Sequence, residues 1–546
     1  MKVSIKINNT IIKKELKKAE SAESILNNLN IETNNQILLC KVDNSYRGLS
    51  HLITRDCSIE YLDMTNNYAW LVYQNSLILL YKKAIFDILG NVHVVIENSL
   101  NKGLYTTIKT QVSQDIIKKI EDRMKELVSL EIPIIKTYVK RDDMEQLPGA
   151  NVKRLVEFLP KLKDVEVYSI DNYKELFYGL LVPNTSYLKQ FELIKYRNGV
   201  LLRYPHNSEP GVMPIYEDQK LLYDAFSEAT RWHRLMGIDY ASDLNEKIIK
   251  NEVEDLIMLQ EALHEKKISD IADQIKSLNK RIILICGPSS SGKTTFAKRL
   301  CIQLRVIGLK PLYLGTDDYF VERHETPLDK NGEKDFESIH AVDLNLFNQQ
   351  MNDLLSGKKV DLPRFDFIEG TKVYGERIVS IDKNQPIVIE GIHALNELLT
   401  NEIDDDEKFK IYISPLTQLN INSNNRIPTT DARMLRRLIR DYRTRGRSAS
   451  QTIESWPKVR KGEDENIFPF ISQADVFFNT NYIYEIPVLK KYAFPLLEGV
   501  QPHEKEYAEA QRMLSFLRFF KTIQDDSTIS NNSILREFIG GSVLTK

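Results

Sequence analysis

Gly287-Pro288-Ser289-Ser290-Ser291-Gly292-Lys293-Thr294 carries the spacing G-x-x-x-x-G-K-[ST], and its residue types suit one task. The glycines let the backbone curl so that successive N–H groups point inward and cradle phosphate oxygens at a helix N-terminus. Lys293 can reach the outer phosphates as a point charge, and the Thr294 hydroxyl is a ligand for Mg²⁺. The aliphatic run Ile282 to Ile285 precedes the loop, and helix-compatible sequence continues through Thr295. That is the strand-before, helix-after context the pattern requires. A nucleoside triphosphate site is expected over residues 287–295.

Carboxylates and arginines supply the rest of the chemistry. Asp317 and Asp318 follow an apolar strand at Pro311 to Leu314, and Glu390 ends another at Pro386 to Ile389. A right-handed βαβ crossover brings such strand ends to the same sheet edge as the loop. There a carboxylate can accept the proton of an attacking hydroxyl or help hold Mg²⁺; Asp317 or Asp318 could equally cap a helix. Arg433, Arg436, Arg437 and Arg440 recur at i, i+3, i+4 and i+7 and so share one helix face. Met434, Leu435, Leu438 and Tyr442 take the other face, and Arg443, Arg445 and Arg447 gather around Gly446. Seven arginines against Asp441 alone within residues 433–447 repel one another unless anions are near. A lid that closes on phosphoryl groups and an RNA-binding stripe both suit that pattern.

The elements that must position these groups extend over 546 residues, a length that suits about three domains. The composition, 42% hydrophobic and 27% charged, is that of a globular chain. A formal charge of -2 gives no global attraction to nucleic acid or membrane. The four cysteines, Cys40, Cys57, Cys286 and Cys301, have no paired metal spacing and suit a reducing cytoplasm. The N-terminus alternates in polarity and lacks a signal-peptide core, and no apolar run near it can span a bilayer, so a cytoplasmic location without membrane contact is expected.

Residues 1–64 read as a β-rich module and residues 65–241 as an α+β domain that opens on an amphipathic helix ending at Gly90. Residues 242–279 read as a helical linker, 280–500 as the phosphate-binding α/β domain with a last strand at Val476 to Phe478, and 501–546 as a helical extension. The amphipathic run 505–523 is expected to dock on that domain or on a second subunit, which makes a homo-oligomer the expected assembly.

Two resemblances follow. GPSSSGKTT, TDDYF, LPRFDF, IVIEGIHAL and RRLIRDYRTRGR, in this order, resemble the uridine kinase branch of the phosphoribulokinase/uridine kinase family. The front modules resemble the TGS domain and the second additional, editing domain of threonyl- and alanyl-tRNA synthetases. The expected fold is thus multidomain: an α/β P-loop kinase with a parallel sheet, preceded by a β-grasp, TGS-like module and an α+β editing-like domain. The editing chemistry needs a His-x-x-x-His pair, and none of the nine histidines lies four residues from another. The front domains therefore carry an expectation of RNA contact or regulation only.

The kinase resemblance implies transfer of the γ-phosphate of ATP, or GTP, with Mg²⁺, to the 5′-hydroxyl of a nucleoside such as uridine or cytidine. It implies Asp317 as the base and Lys293, Arg437 and Arg440 as catalytic charges. It implies Thr294, Asp317 and Glu390 around Mg²⁺, Arg445 toward the nucleotide, and Arg447, Phe365 and Phe367 toward the substrate. His340 stands where a ribose-holding carboxylate is expected, with Glu337 and Asp343 near it, and Gly370 replaces a base-contacting histidine. Phosphorylation of another small alcohol, as by phosphoribulokinase or pantothenate kinase, and an RNA- or tRNA-sensing P-loop ATPase are the alternatives.

Overall fold

A computed structural model of the chain describes residues 1–8, 10–29, 31–140, 155, 164–329 and 332–545. Its centre is a five-stranded, wholly parallel sheet in the spatial order Leu312–Gly315, Ile387–Glu390, Ile282–Cys286, Lys408–Ser414, Val476–Asn479. Ile282–Cys286 is buried at every position because helices cover both faces, which is why it reads as an unbroken apolar run. Its side chains divide by parity. Ile283 and Ile285 join Phe296 and Leu300 of the helix Lys293–Val306, whereas Ile282, Leu284 and Cys286 join Phe347 and Met351 of the helix Leu344–Leu355. The chain leaves this first strand toward one edge and later returns to fill the other, so the crevice at the strands' carboxyl ends is a topological switch point.

The expected linker is part of this core. Ile257, Ile268, Ile271 and Ile275 of the helix Val253–Ser277 share the apolar cluster of Phe296 and Leu300. Mixed charge along that segment reflects a solvated outer face, and its regularly spaced isoleucines pack inward. The last helices, Tyr507–Leu517 and Arg536–Ile539, also bury apolar faces in the same cluster.

The N-terminal module is a five-stranded sheet in the order Thr10–Glu15, Lys2–Ile7, Cys57–Asp63, Ile37–Val42, Ser45–Arg47. Its first and last long strands pair in parallel, with the helix Ala22–Asn27 between them in sequence. The second unit builds around the helix Asn67–Leu89, which Gly90 terminates at a φ of 76°. That helix is not amphipathic: residues 76–85 are all buried, including Lys82 and Lys83. Elements cover it on several sides, and its lysines are tolerated because Lys82 pairs with buried Glu175 and Lys83 with Asp87. A four-stranded antiparallel sheet, a three-stranded one formed by Ile134–Lys140, Asp164–Ile170 and Tyr173–Glu175, and the helices Gln114–Ser129 and Lys220–Leu235 are the unit's other main elements.

A long buried loop forms much of the junction between this unit and the parallel sheet, beside the helix Lys220–Leu235, which packs on the strand Val476–Asn479. Residues 411–427, leaving the strand Lys408–Ser414, are buried without interruption. The Asn420 amide donates to the Ile96 carbonyl at 2.7 Å, and Ile96 N–H donates to Ser423 O at 2.8 Å. Asn424 and Asn425 each donate to Leu176 O at 2.7 Å. Among the described residues no helix is long and apolar enough to cross a membrane.

Candidate active site

The phosphate loop joins the central strand to the helix Lys293–Val306, as its flanks imply. Ser290 (φ 61°) and Gly292 (φ 89°) take left-handed backbone conformations, which turn successive N–H groups inward. A Cβ on Gly287 would collide with the Ile413 carbonyl oxygen, so the loop start admits only glycine. Lys293 Nζ donates to Gly287 O at 2.9 Å and to Pro288 O at 3.3 Å, bridging the mouth of the loop. Among the described residues, the buried Ser290 and Ser291 hydroxyls have no hydrogen-bond partner.

Three acidic side chains converge on this lysine. Glu390 ends its strand with Oε1 accepting from the Thr294 hydroxyl at 2.9 Å and from the Tyr313 hydroxyl at 3.1 Å. Burial pushes the Glu390 carboxyl above its ordinary range, against the pull of Lys293. Asp317 sits in the short turn Thr316–Tyr319 directly beyond the strand Leu312–Gly315. Solvent reaches its side chain through the open cleft, while protein encloses it on the remaining sides. That enclosure raises its pKa, with Lys293 and Arg445 opposing and Asp318 and Glu337 adding to the rise. Asp318 does something different: it accepts from Arg377 at 2.7 Å and so anchors the turn to the hairpin strand Thr371–Val379. Asp317 stands in the charge field of Lys293.

The third acid is Glu337. Burial raises its carboxyl, Glu463 adds to the rise, and Arg437 and Lys293 oppose it. The structure thus places Glu337, and not His340, among the charges of the site; His340 is exposed on the turn Ile339–Ala341. A one-sided reading of the segment could not tell which of two residues three apart faces inward. Asp343 caps the helix Leu344–Leu355 and accepts from Lys372 at 2.7 Å. Phe365, in the hairpin strand Val360–Asp366, is buried edge-on against Phe320 at 5.7 Å, while Phe367 is 59% exposed and 5.2 Å from Phe365. Gly370 turns the hairpin at a φ of 76° and leaves room for Arg323, whose side chain a Cβ there would meet.

The arginine face divides in two. Arg433 donates to Ser289 O at 2.9 Å and pairs with buried Glu463. Arg436 donates to Ser290 O and Ser291 O, each at 3.3 Å, and pairs with buried Glu485 at 2.7 Å. These two hold the loop's carbonyls, and Glu463, the partner of Arg433, also accepts from the Ser289 N–H at 3.0 Å. Arg437 reaches the Ser289 hydroxyl at 2.8 Å, and Arg440 lies 3.9 Å from Glu537. Neither Nε makes a hydrogen bond to a described residue, and burial lowers both guanidinium pKa values. Asp441 lies beneath them and accepts from Arg445 at 3.0 Å. Arg447 follows the helix on the exposed side of Gly446 (φ 63°). Tyr442 is exposed as well, so it leaves the apolar face that Met434, Leu435 and Leu438 form.

Sequence spacing alone did not find Glu463, Glu485 or Tyr313. They lie 30 and 49 residues from their arginine partners and 77 from Glu390, and no local pattern marks them.

The oxygen donors Thr294, Asp317 and Glu390 fit a hard cation. Among the described residues no cluster of three or more His, Cys, Asp or Glu side chains could hold a metal by itself.

A parallel sheet with a phosphate loop at its switch point, an acid ending the neighbouring strand, another just beyond the edge strand and an arginine helix over the cleft define an ATP-dependent phosphotransferase. The comparisons carry this further. The family described as Phosphoribulokinase / Uridine kinase matches residues 282–484. The uridine kinase of Staphylococcus aureus (strain JH9) is 30% identical over 196 residues, covering 36% of this chain and 85% of that protein. The uridine kinase of Ligilactobacillus salivarius (strain UCC118) is 28% identical over 184 residues, 34% of this chain and 77% of that protein. A solved structure of a possible uridine kinase from Bacillus stearothermophilus is 21% identical, covers 39% of this chain and 97% of its own, and has a TM-score of 0.27. The chain belongs to the phosphoribulokinase/uridine kinase family, and that match leaves the first 281 residues outside it.

Proposed function

We propose that the protein is a nucleoside kinase that transfers the γ-phosphate of ATP, or GTP, to a nucleoside 5′-hydroxyl, with uridine and cytidine as the leading acceptors. The observation that carries this reading is Asp317: it stands in the charge field of Lys293, beyond a strand end in the cleft, while its neighbour Asp318 is engaged by Arg377. There it accepts the proton of the attacking hydroxyl. Loop N–H groups and Lys293 bind the phosphate chain, and Arg437, Arg440 and Arg445 lower the charge on the transferring group while the arginine helix excludes water. Mg²⁺, when bound by Thr294, Glu390 and Asp317 with the donor phosphates, supplies charge neutralisation at the β- and γ-oxygens. Exposed Phe367 and Arg447 serve the acceptor, and Glu337 rather than His340 holds its hydroxyls.

We read residues 1–64 as a β-grasp module, on the strength of its strand order and the parallel pairing of its first and last long strands inside the sheet. Residues 65–241 we read as an editing-like domain without the hydrolytic histidine pair. Stimulated ADP release from ATP and from GTP, screened over uridine, cytidine, adenosine, ribulose 5-phosphate, pantothenate and tRNA, tests the assignment. Stimulation by tRNA and by none of the small alcohols overturns it.

A further inference from the structure

The head of the helix Lys293–Val306 is covered by the chain's own C-terminal segment. Glu537 Oε2 accepts from the Thr295 hydroxyl at 2.6 Å and from Thr295 N–H at 3.4 Å. Thr295 is fully buried beneath it. Ile534 packs on Gly292 so closely that a Cβ there would strike it, and Lys298 Nζ donates to Leu544 O at 2.6 Å. Arg443 donates to Phe538 O at 2.5 Å, and Arg436 lies 4.9 Å from the Phe538 ring. The segment is a built part of the fold: Ile534, Leu535, Phe538 and Ile539 are buried in the main core, and Arg536 ties it to Asp526 O at 2.6 Å and Ile529 O at 3.0 Å.

Thr295 follows directly on the Lys293-Thr294 pair, and its N–H belongs to the set that the head of a phosphate-loop helix offers to an anion. A carboxylate already satisfies it. We propose that Glu537 is a donor-affinity residue: its carboxylate takes the inner-phosphate position at the loop in the nucleotide-free protein and swings out when the donor's phosphate chain enters. As the carboxylate leaves, the short turn that carries it, with its Glu537 N–H to Ile534 O and Gly540 N–H to Arg536 O bonds, loosens, while the helix Tyr507–Leu517 before it stays docked in the core. Arg440, 3.9 Å from Glu537 and with its Nε free of hydrogen bonds among the described residues, is released toward the incoming phosphates by the same step. The inference rests on reading the loop as the donor site.

Calorimetric titration of the full chain with the non-hydrolysable ATP analogue AMP-PNP and Mg²⁺ tests it. Glu537→Gln keeps the shape and the hydrogen-bond acceptor but removes the competing charge, and its Kd is expected to fall at least tenfold below that of the unsubstituted protein. An equal or weaker affinity overturns the proposal and makes Glu537 a helix cap only. Hydrogen exchange on the unsubstituted protein gives a second readout if the variant does not fold. Amides 534–540 are expected to lose protection when AMP-PNP is added, and unchanged or increased protection overturns the proposal. No binding of AMP-PNP to either protein overturns the donor-site reading itself, and this inference with it.

Discussion

Asp317→Asn and Asp318→Asn, made in parallel, separate two carboxylates that the sequence presents as equivalents. Asp317 faces Lys293, Arg445 and Glu337 across the cleft, whereas Asp318 is engaged by Arg377 at 2.7 Å. Loss of a positioned general base costs about 10²–10⁴ in rate, or about 2.7–5.4 kcal/mol at the barrier. Asp317→Asn is therefore expected to lower kcat by that factor. Because its side chain is open to the cleft, Tm should move by no more than a degree or two. Asp318→Asn breaks a half-exposed ion pair, with side-chain exposures of 30% for Arg377 and 26% for Asp318. Such pairs are worth about 0–1 kcal/mol, so kcat should stay within a few fold. A coupled assay of ADP release at saturating ATP and acceptor, run beside thermal denaturation, reads both effects. Two results refute the reasoning: Asp317→Asn retaining more than a tenth of the activity, or Asp318→Asn losing as much as Asp317→Asn.

The protein that encloses Asp317 on the sides away from the cleft raises its carboxyl pKa, and burial raises that of Glu390, so the acid limb of a kcat/KM profile should lie above the ordinary aspartate range, activity being lost as pH falls through the raised value. The fold should survive in that window on their account, since a carboxyl with a raised folded pKa holds its proton more tightly folded than unfolded; circular dichroism across the same pH range checks it. Arg436→Met strands Glu485 without its partner in a fully buried site and should destabilise the protein by about 3–5 kcal/mol in urea unfolding. Gly287→Ala forces a methyl against the Ile413 carbonyl, and AMP-PNP binding in calorimetry should fall below detection while far-UV circular dichroism remains.

The donor half of the site was legible because its residues are local. A strand, a glycine loop, a lysine and a helix follow one another within residues 282–306, and Glu390 and Asp317 each stand at or just beyond the end of an apolar strand. Periodicity also placed the arginines on one face, but it could not divide that face. Arg433 and Arg436 are held by Glu463 and Glu485, partners whose positions depend on how later helices pack. The helix Asn67–Leu89 misled for a related reason: Gln74, Lys82 and Lys83 look like a solvated stripe until the surrounding elements supply their partners. Glu337 and Glu537 reach the site from turns and from the far end of the chain, where no spacing rule applies.

The buried loop of residues 411–427 has a consequence for how this protein can be rearranged. Its asparagine amides are satisfied by Ile96 and Leu176, backbone that lies more than two hundred residues earlier in the chain. Cutting the chain before the phosphate loop would leave those amides and buried Arg426 facing water or one another, immediately ahead of the helix Thr429–Arg445 that carries the arginines beside the loop. The phosphotransferase portion is therefore not an exchangeable cassette. A stand-alone relative that works without the front modules must carry a different sequence in this loop, and transplanting the loop would be the first step in making either part self-sufficient.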